Sequence, residues 1–298
     1  MPLLSIATVL LISFSHAAVA VYDPPYADPA TPDPDHPPRA AGVTITNNGQ
    51  RMSGILYTAN GPGPHATVVL LHGIPGNEKN LDIAQALRRA GFNVLFFHYR
   101  GSWGSEGNYA LLQLADDAEA VLGWLREPRN ASRHRVDVRH LSTLGHSMGG
   151  FAALAIGARD PELTCVGAMS PVNLGVMAAG ITSGDPTMLS FLSAADRMFM
   201  LAGFDGAAMR RELQSVNPRM IDTSTFGPGL RGKSVFLVVG REDVVTPPQL
   251  HFDPVAAAYA KIPGLALEAQ RIRGDHSFSS SRIQLTRLVL DWLQRDCR

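Results

Sequence analysis

The chain has 298 residues, 45% of them apolar and 17% charged, and its 26 Lys and Arg balance 26 Asp and Glu to a formal net charge of zero. That apolar share is enough for a single large α/β core. The charge balance excludes a nucleic-acid partner bound through its phosphates, because such binding needs clustered Lys and Arg and no basic stripe is present. From the start of the chain, residues 1–20 hold an apolar run from Leu3 to Phe14 and then Ala18-Val19-Ala20, the small-x-small pattern that a signal peptidase accepts. The expectation is a signal peptide cleaved after Ala20 and a secreted or periplasmic protein. An uncleaved membrane anchor is the alternative, although the run is shorter than a bilayer-spanning helix usually needs. Residues 21–42 are dense in Pro and Asp and show no apolar periodicity, so they are read as an extended linker outside the fold, with the domain proper over residues 43–298.

The domain opens with strand-like stretches at Val43 to Thr46 and Arg51 to Thr58 around Asn47-Asn48-Gly49, a hairpin turn signal, which predicts an antiparallel edge. Ala66 to Leu71 is a continuous aliphatic run, as in a strand covered on both faces of a parallel sheet. An alternation follows: helix near Leu81 to Ala90, strand Asn93 to Phe97, helix near Leu111 to Arg126, strand Leu141 to Gly145, helix Met148 to Ala158, strand Cys165 to Ser170. It resumes with strands Ser234 to Gly240 and Leu267 to Ile272 and a closing helix near Ser281 to Arg295. Right-handed crossovers of this kind build a doubly wound sheet that binds ligands at the carboxyl ends of its strands. Residues 174–230 break the pattern and are expected to form a helical insertion over that rim, with helices around Ser193 to Leu201 and Ala207 to Gln214. Its Met188, Phe191, Met198, Phe199, Met200 and Met209 either line an acyl pocket or pack the insertion on the body. In an oxidising compartment Cys165 and Cys297, the two cysteines, could pair. Both fall on the face away from the ligand rim in such a sheet, which favours the bridge, but a buried thiol and a frayed terminal one fit the sequence too.

Gly145-His146-Ser147-Met148-Gly149 fits G-x-S-x-G between an apolar strand and a small-residue helix. A nucleophile on so tight a turn needs flanks without bulk. A serine hydroxyl is a poor nucleophile at neutral pH and needs a base held in one tautomer by a third group. Asp243 ends a strand two residues after Gly240-Arg241, and its spacing selects it over Glu242 as the acid. His276, in Gly274-Asp275-His276-Ser277-Phe278 between the last strand and last helix, is the base. Backbone amides of Met148 and Ile74 are expected to receive the oxyanion of acyl transfer, the second in the loop Leu71-His72-Gly73-Ile74-Pro75-Gly76, which His72 braces. This chemistry calls for no metal and no organic cofactor, and no Cys and His ligand cluster is visible.

The segments HGIPGNEKN, FHYRGSWGSEG, GHSMGGF, GREDVVTPP and GDHSFS, in this order and spacing, resemble the α/β-hydrolase superfamily from about Val43 onward. Within it the chain is similar to bacterial serine esterases and to hydrolases related to prolyl oligopeptidases. The resemblance implies an eight-stranded, mostly parallel sheet with a short helical lid and a serine hydrolase triad acting on a small-molecule ester or amide. It does not imply a substrate. Carboxylic-ester hydrolysis is favoured over peptide hydrolysis, because no propeller-like segment and no amine-binding Glu pair stands ahead of the domain. A non-catalytic binding protein on this fold is the reading from another class. The turn Phe97-His98-Tyr99-Arg100-Gly101 departs from the commoner Asp-x-Arg-Gly form, which leaves the bracing of Arg100 open.

Overall fold

The computed structural model describes residues 22–29 and 31–298, so the signal-peptide reading of residues 1–20 lies outside the described residues. The expected doubly wound sheet is present. Strands β1 (Arg39–Asn47) and β2 (Gln50–Thr58) form the antiparallel hairpin, turning at Asn48 and Gly49 with φ of 50° and 76°, the left-handed torsions that a tight two-residue loop needs. Strands β3 (His65–Leu71), β4 (Asn93–Phe97), β5 (Val136–His146), β6 (Cys165–Met169), β7 (Ser234–Gly240) and β8 (Ala266–Ile272) run parallel to one another, in the sheet order β1-β2-β4-β3-β5-β6-β7-β8.

The unbroken apolar runs of the central strands follow from burial on both faces. Val69 and Leu71 of β3 and Val235, Leu237 and Val239 of β7 enter one core cluster, while Val68, Leu70, Phe236 and Val238 enter the other. Because successive strand side chains point to opposite faces, neither face can be polar. The second cluster is covered by α1 (Leu81–Arg89) and the C-terminal helix, on which Trp292 stacks against Phe236 at 5.3 Å. The first is covered by α2 (Leu114–Arg126), a short α3 (Pro128–His134) beside it, and α4 (Met148–Arg159), whose small-residue sequence lets it lie close on the sheet.

The insertion differs from its expected layout. A helix not foreseen, α5 (Leu174–Ser183), starts at Asn173, whose side chain accepts the Gly175 and Val176 amides, and stops at Gly184. Next, α6 (Pro186–Ala195) begins seven residues earlier than the expected helix at Ser193, because Asp185 caps it and Pro186 starts it. Helix α7 (Gly206–Gln214) lies one residue from its expected start. Met188 and Met209 are buried in the core, so these side chains pack the insertion on the body; Phe199 alone of the six is 92% exposed. Short helices α8 (Pro248–His251) and α9 (Asp253–Tyr259) join β7 to β8, and α10 (Arg282–Asp296) closes the chain.

Two further differences concern the edges. The first strand begins at Arg39, inside the segment read as linker, and described residues before it lie on the body instead of outside it. Arg89 donates to Pro24 O at 2.6 Å, Asp33 N to Asn60 at 2.7 Å, and the Tyr26 ring sits 4.9 Å from the Arg287 guanidinium. Cys165 and Cys297 form a disulfide with Cα atoms 5.9 Å apart, tying the end of α10 to the start of β6 on the face away from the strand ends. Among the described residues no helix is long and apolar enough to cross a membrane.

Candidate active site

Ser147 sits where β5 gives way to α4, at φ 57° and ψ −117°, a backbone conformation that a non-glycine residue holds only when its surroundings impose it. Its own amide donates to Met169 O at 2.9 Å, and its carbonyl accepts from Gly150 and Val172 at 2.9 and 3.1 Å. The flanking glycines are a requirement of close approach. A Cβ placed at Gly145 would stand 1.9 Å from Gly149 O, and one at Gly149 would stand 2.2 Å from Leu71 O of β3.

Asp243, 3% exposed, lies in the turn after β7. Its Oδ1 accepts the Val245 and Thr246 amides at 2.9 and 2.8 Å, and its Oδ2 accepts from Thr246 Oγ1 and His276 Nδ1, both at 2.8 Å. Burial pushes this carboxyl up, but the hydrogen bonds and charge of His276, joined by the bonds from Thr246, outweigh it and hold the group below the ordinary carboxylate range. With Nδ1–H donated to Asp243, the neutral His276 ring keeps its lone pair on Nε2. Ser147 Oγ makes no hydrogen bond among the described residues, and the imidazole of His276 is engaged at Nδ1 by Asp243.

The loop after β3 runs directly against the serine: a Cβ at Gly73 would stand 2.8 Å from Ser147 Cβ. Neither the Ile74 nor the Met148 amide donates to a protein acceptor among the described residues, so both are free for a ligand. His72 is buried and its Nδ1–H donates to Gly73 O at 2.7 Å; burial drives its pKa down to about 3 and keeps it neutral. His98, pushed down to about 4 by burial, has Nδ1 3.4 Å from His72 Nε2. The turn that departs from Asp-x-Arg-Gly thus braces the loop with an imidazole, and Arg100 is anchored elsewhere, its Nε 2.5 Å from Asp117 Oδ1.

All five residues singled out in the sequence therefore stand at the carboxyl ends of β3, β5 and β7 or just after β8. Others were missed. Thr246 bonds Asp243, and its hydroxyl three residues after the acid was legible as an Asx-type turn. His146 donates from Nε2 to His276 O at 2.8 Å with its ring centroid 4.8 Å from that of His276, fixing the base loop on the elbow. No sequence signal marks that contact. Glu242, the competing acid, points away and accepts Gly274 N at 2.5 Å. Among the described residues no group of three or more His, Cys, Asp or Glu is placed to hold a metal.

Residues 62–199 match the model of the family described as serine aminopeptidase, S33. The uncharacterized protein YfhR of Salmonella typhimurium is 30% identical over 192 residues, covering 61% of this chain and 62% of that protein. The uncharacterized protein Rv2307c of Mycobacterium tuberculosis is 31% identical over 127 residues, covering 42% and 43%. The chain thus spans between about two fifths and three fifths of the length of these curated relatives. In fold it is similar to Est1E from Butyrivibrio proteoclasticus, with a TM-score of 0.63 at 17% identity, over 85% of this chain and 98% of that one.

Proposed function

We propose that the chain, which has the fold of the α/β hydrolases and matches the S33 family model over residues 62–199, is a serine hydrolase cleaving carboxylic esters of small molecules through an acyl-enzyme. The observation that carries the reading is the His276 to Asp243 bond of 2.8 Å beside a serine on a strained elbow and two unpartnered amides. His276 Nε2 takes the Ser147 proton as Oγ attacks the ester carbonyl. The oxyanion that forms is received by the Ile74 and Met148 amides, and the imidazolium is stabilised by Asp243, which its hydrogen bonds hold ionised. The same imidazolium then protonates the departing alcohol, and water enters by the reverse path to release the acid.

Peptide hydrolysis shares this machinery, and the family description favours it as the second reading. Support for the ester comes from the loop that carries Asp243. Glu242, adjacent to the acid, is engaged by Gly274 N, while Val244 and Val245 present apolar surface, which suits an uncharged ester better than the ammonium of a peptide's amino end. The disulfide supports export to an oxidising compartment, as the leader at residues 1–20 suggests. A fluorophosphonate probe tests the core claim: the expected result is one adduct on Ser147 of the folded protein. Absence of an adduct favours a binding protein on a hydrolase fold. Turnover of short p-nitrophenyl esters against aminoacyl anilides tests the finer claim, and anilide cleavage as fast as ester cleavage would overturn the ester preference.

A further inference from the structure

A loop that reserves its N–H groups for a ligand cannot use them to hold itself in place. This constraint applies to the stretch after β3. Ile74 N is free, Pro75 has no N–H, and restraint must come through carbonyls. Tyr99 Oη donates to His72 O at 3.2 Å and His72 to Gly73 O at 2.7 Å, and the carbonyl beyond Ile74, that of Pro75, accepts the indole Nε1–H of Trp103 at 2.6 Å. On the reading that Ile74 supplies an oxyanion amide, we propose that Trp103 is a positioning residue for that amide, fixing the far side of the loop so that the N–H faces Ser147.

The indole is itself held firmly. It stacks on His98 with centroids 5.9 Å apart and planes inclined by 27°, and Lys79 Nζ lies 4.7 Å from its ring centroid. Its backbone takes φ 50°, which costs a side-chain-bearing residue free energy unless neighbours impose it. Those neighbours belong to the insertion. Trp103 N donates to Met200 O at 3.0 Å, Ser102 bridges to Leu201, and Ala202 N donates to Gly101 O at 2.7 Å. The covering segment is thereby strapped to the turn carrying Trp103, and the turn to the loop carrying Ile74. The hydrogen bond serves the transition state and not substrate binding, since the oxyanion exists only after attack.

Trp103→Phe tests this, because it keeps an aromatic ring for His98 and Lys79 and removes the donor. The benzothienylalanine replacement of Trp103, which exchanges N–H for sulfur in a ring of the same shape, repeats the test without altering packing. In both variants kcat on a p-nitrophenyl ester is expected to fall about tenfold while KM stays within about twofold, less than the loss from deleting an oxyanion donor outright. Phenylboronic acid, which forms a tetrahedral adduct on the serine, should bind about tenfold more weakly. A packing role would lower the melting temperature and leave these ratios unmoved. If Ser147 of the wild type is labelled by fluorophosphonate and the isostere turns over at the wild-type rate, or loses only in KM, Trp103 does not position the amide and the proposal falls while the hydrolase reading stands. If Ser147 is not labelled, the hydrolase reading falls first.

Discussion

At the scale of single residues, the proposed mechanism depends on one proton being in the right place on His276. Asp243 selects the tautomer, since its Oδ2 can only accept from Nδ1–H, and it is locked by four hydrogen bonds of 2.8 to 2.9 Å. Asp243→Asn offers an amide where the carboxylate stood, so the ring turns or takes the other tautomer. The expected result is a kcat lower by about three to four orders of magnitude with little change in KM. Retention of more than a tenth of the activity would mean that another group serves the histidine. Thr246→Val is the finer probe. It deletes the hydroxyl that bonds Asp243 Oδ2 at 2.8 Å and leaves both backbone bonds to Oδ1 intact. A charge-assisted bond contributes about 1.5 kcal/mol or more, so steady-state kinetics should show kcat down by about tenfold, with a wild-type value ruling out a role for this hydroxyl in holding the acid.

At the scale of elements, backbone crowding and cross-links decide what can be changed. Gly149→Ala places a methyl 2.2 Å from Leu71 O, so α4 must lift from β3 or the strand must yield. We expect a loss of about 1 to 3 kcal/mol in urea unfolding together with loss of fluorophosphonate labelling of Ser147, and a variant as stable as the wild type would show that the two elements have slack. The Cys165–Cys297 bond closes a loop of 132 residues, and the paired change to serine should cost about 2 to 5 kcal/mol, read from the same unfolding curves with and without reductant. What the sequence made legible at this scale had a local cause. Runs such as Ala66 to Leu71 read as buried strands because both faces are apolar, and Asn48-Gly49 read as a turn because its torsions exclude most other residues. Helix α5 escaped because LGVMAAGITS is apolar nearly all round and carries no stripe, although Asn173 and Gly184 marked its ends. The Pro-rich segment escaped for another reason: it holds to the body through carbonyls and single side chains such as Pro24 O and Asp23, which leave no periodic trace. In the candidate site, glycine spacing and strand ends pointed to Ser147, Asp243 and His276, whereas the contacts of His146 and Trp103 are made only by folding.

At the scale of the whole molecule, the interior holds imidazoles that must stay neutral. His72 and His146 are fully enclosed, and burial brings each from an ordinary 6.5 down to about 3, with the neighbouring His276 pushing His146 the same way. Between those values the unfolded chain binds protons that the folded chain refuses, so stability rises with pH across the window and is lost as pH falls below about 6.5. Each histidine contributes a slope of about 1.4 kcal/mol per pH unit, about 2.7 for the two, against a total stability of about 5 to 15 kcal/mol for a domain. Asp243 acts in the same sense, its depressed pKa giving stability that disappears as it protonates. The sheet should therefore come apart in mild acid, well before the bulk of its surface carboxylates is titrated. Urea midpoints at pH 7, 6, 5 and 4 should fall steeply below pH 6, with His98 and His251, held down to about 4 by burial, adding to the slope, and His146→Gln, which keeps a donor for His276 O and cannot be charged, should lower it by about 1.4 kcal/mol per pH unit. A flat profile from pH 7 to 4 would mean that water reaches both rings and that the core behind the elbow opens more freely than its packing indicates.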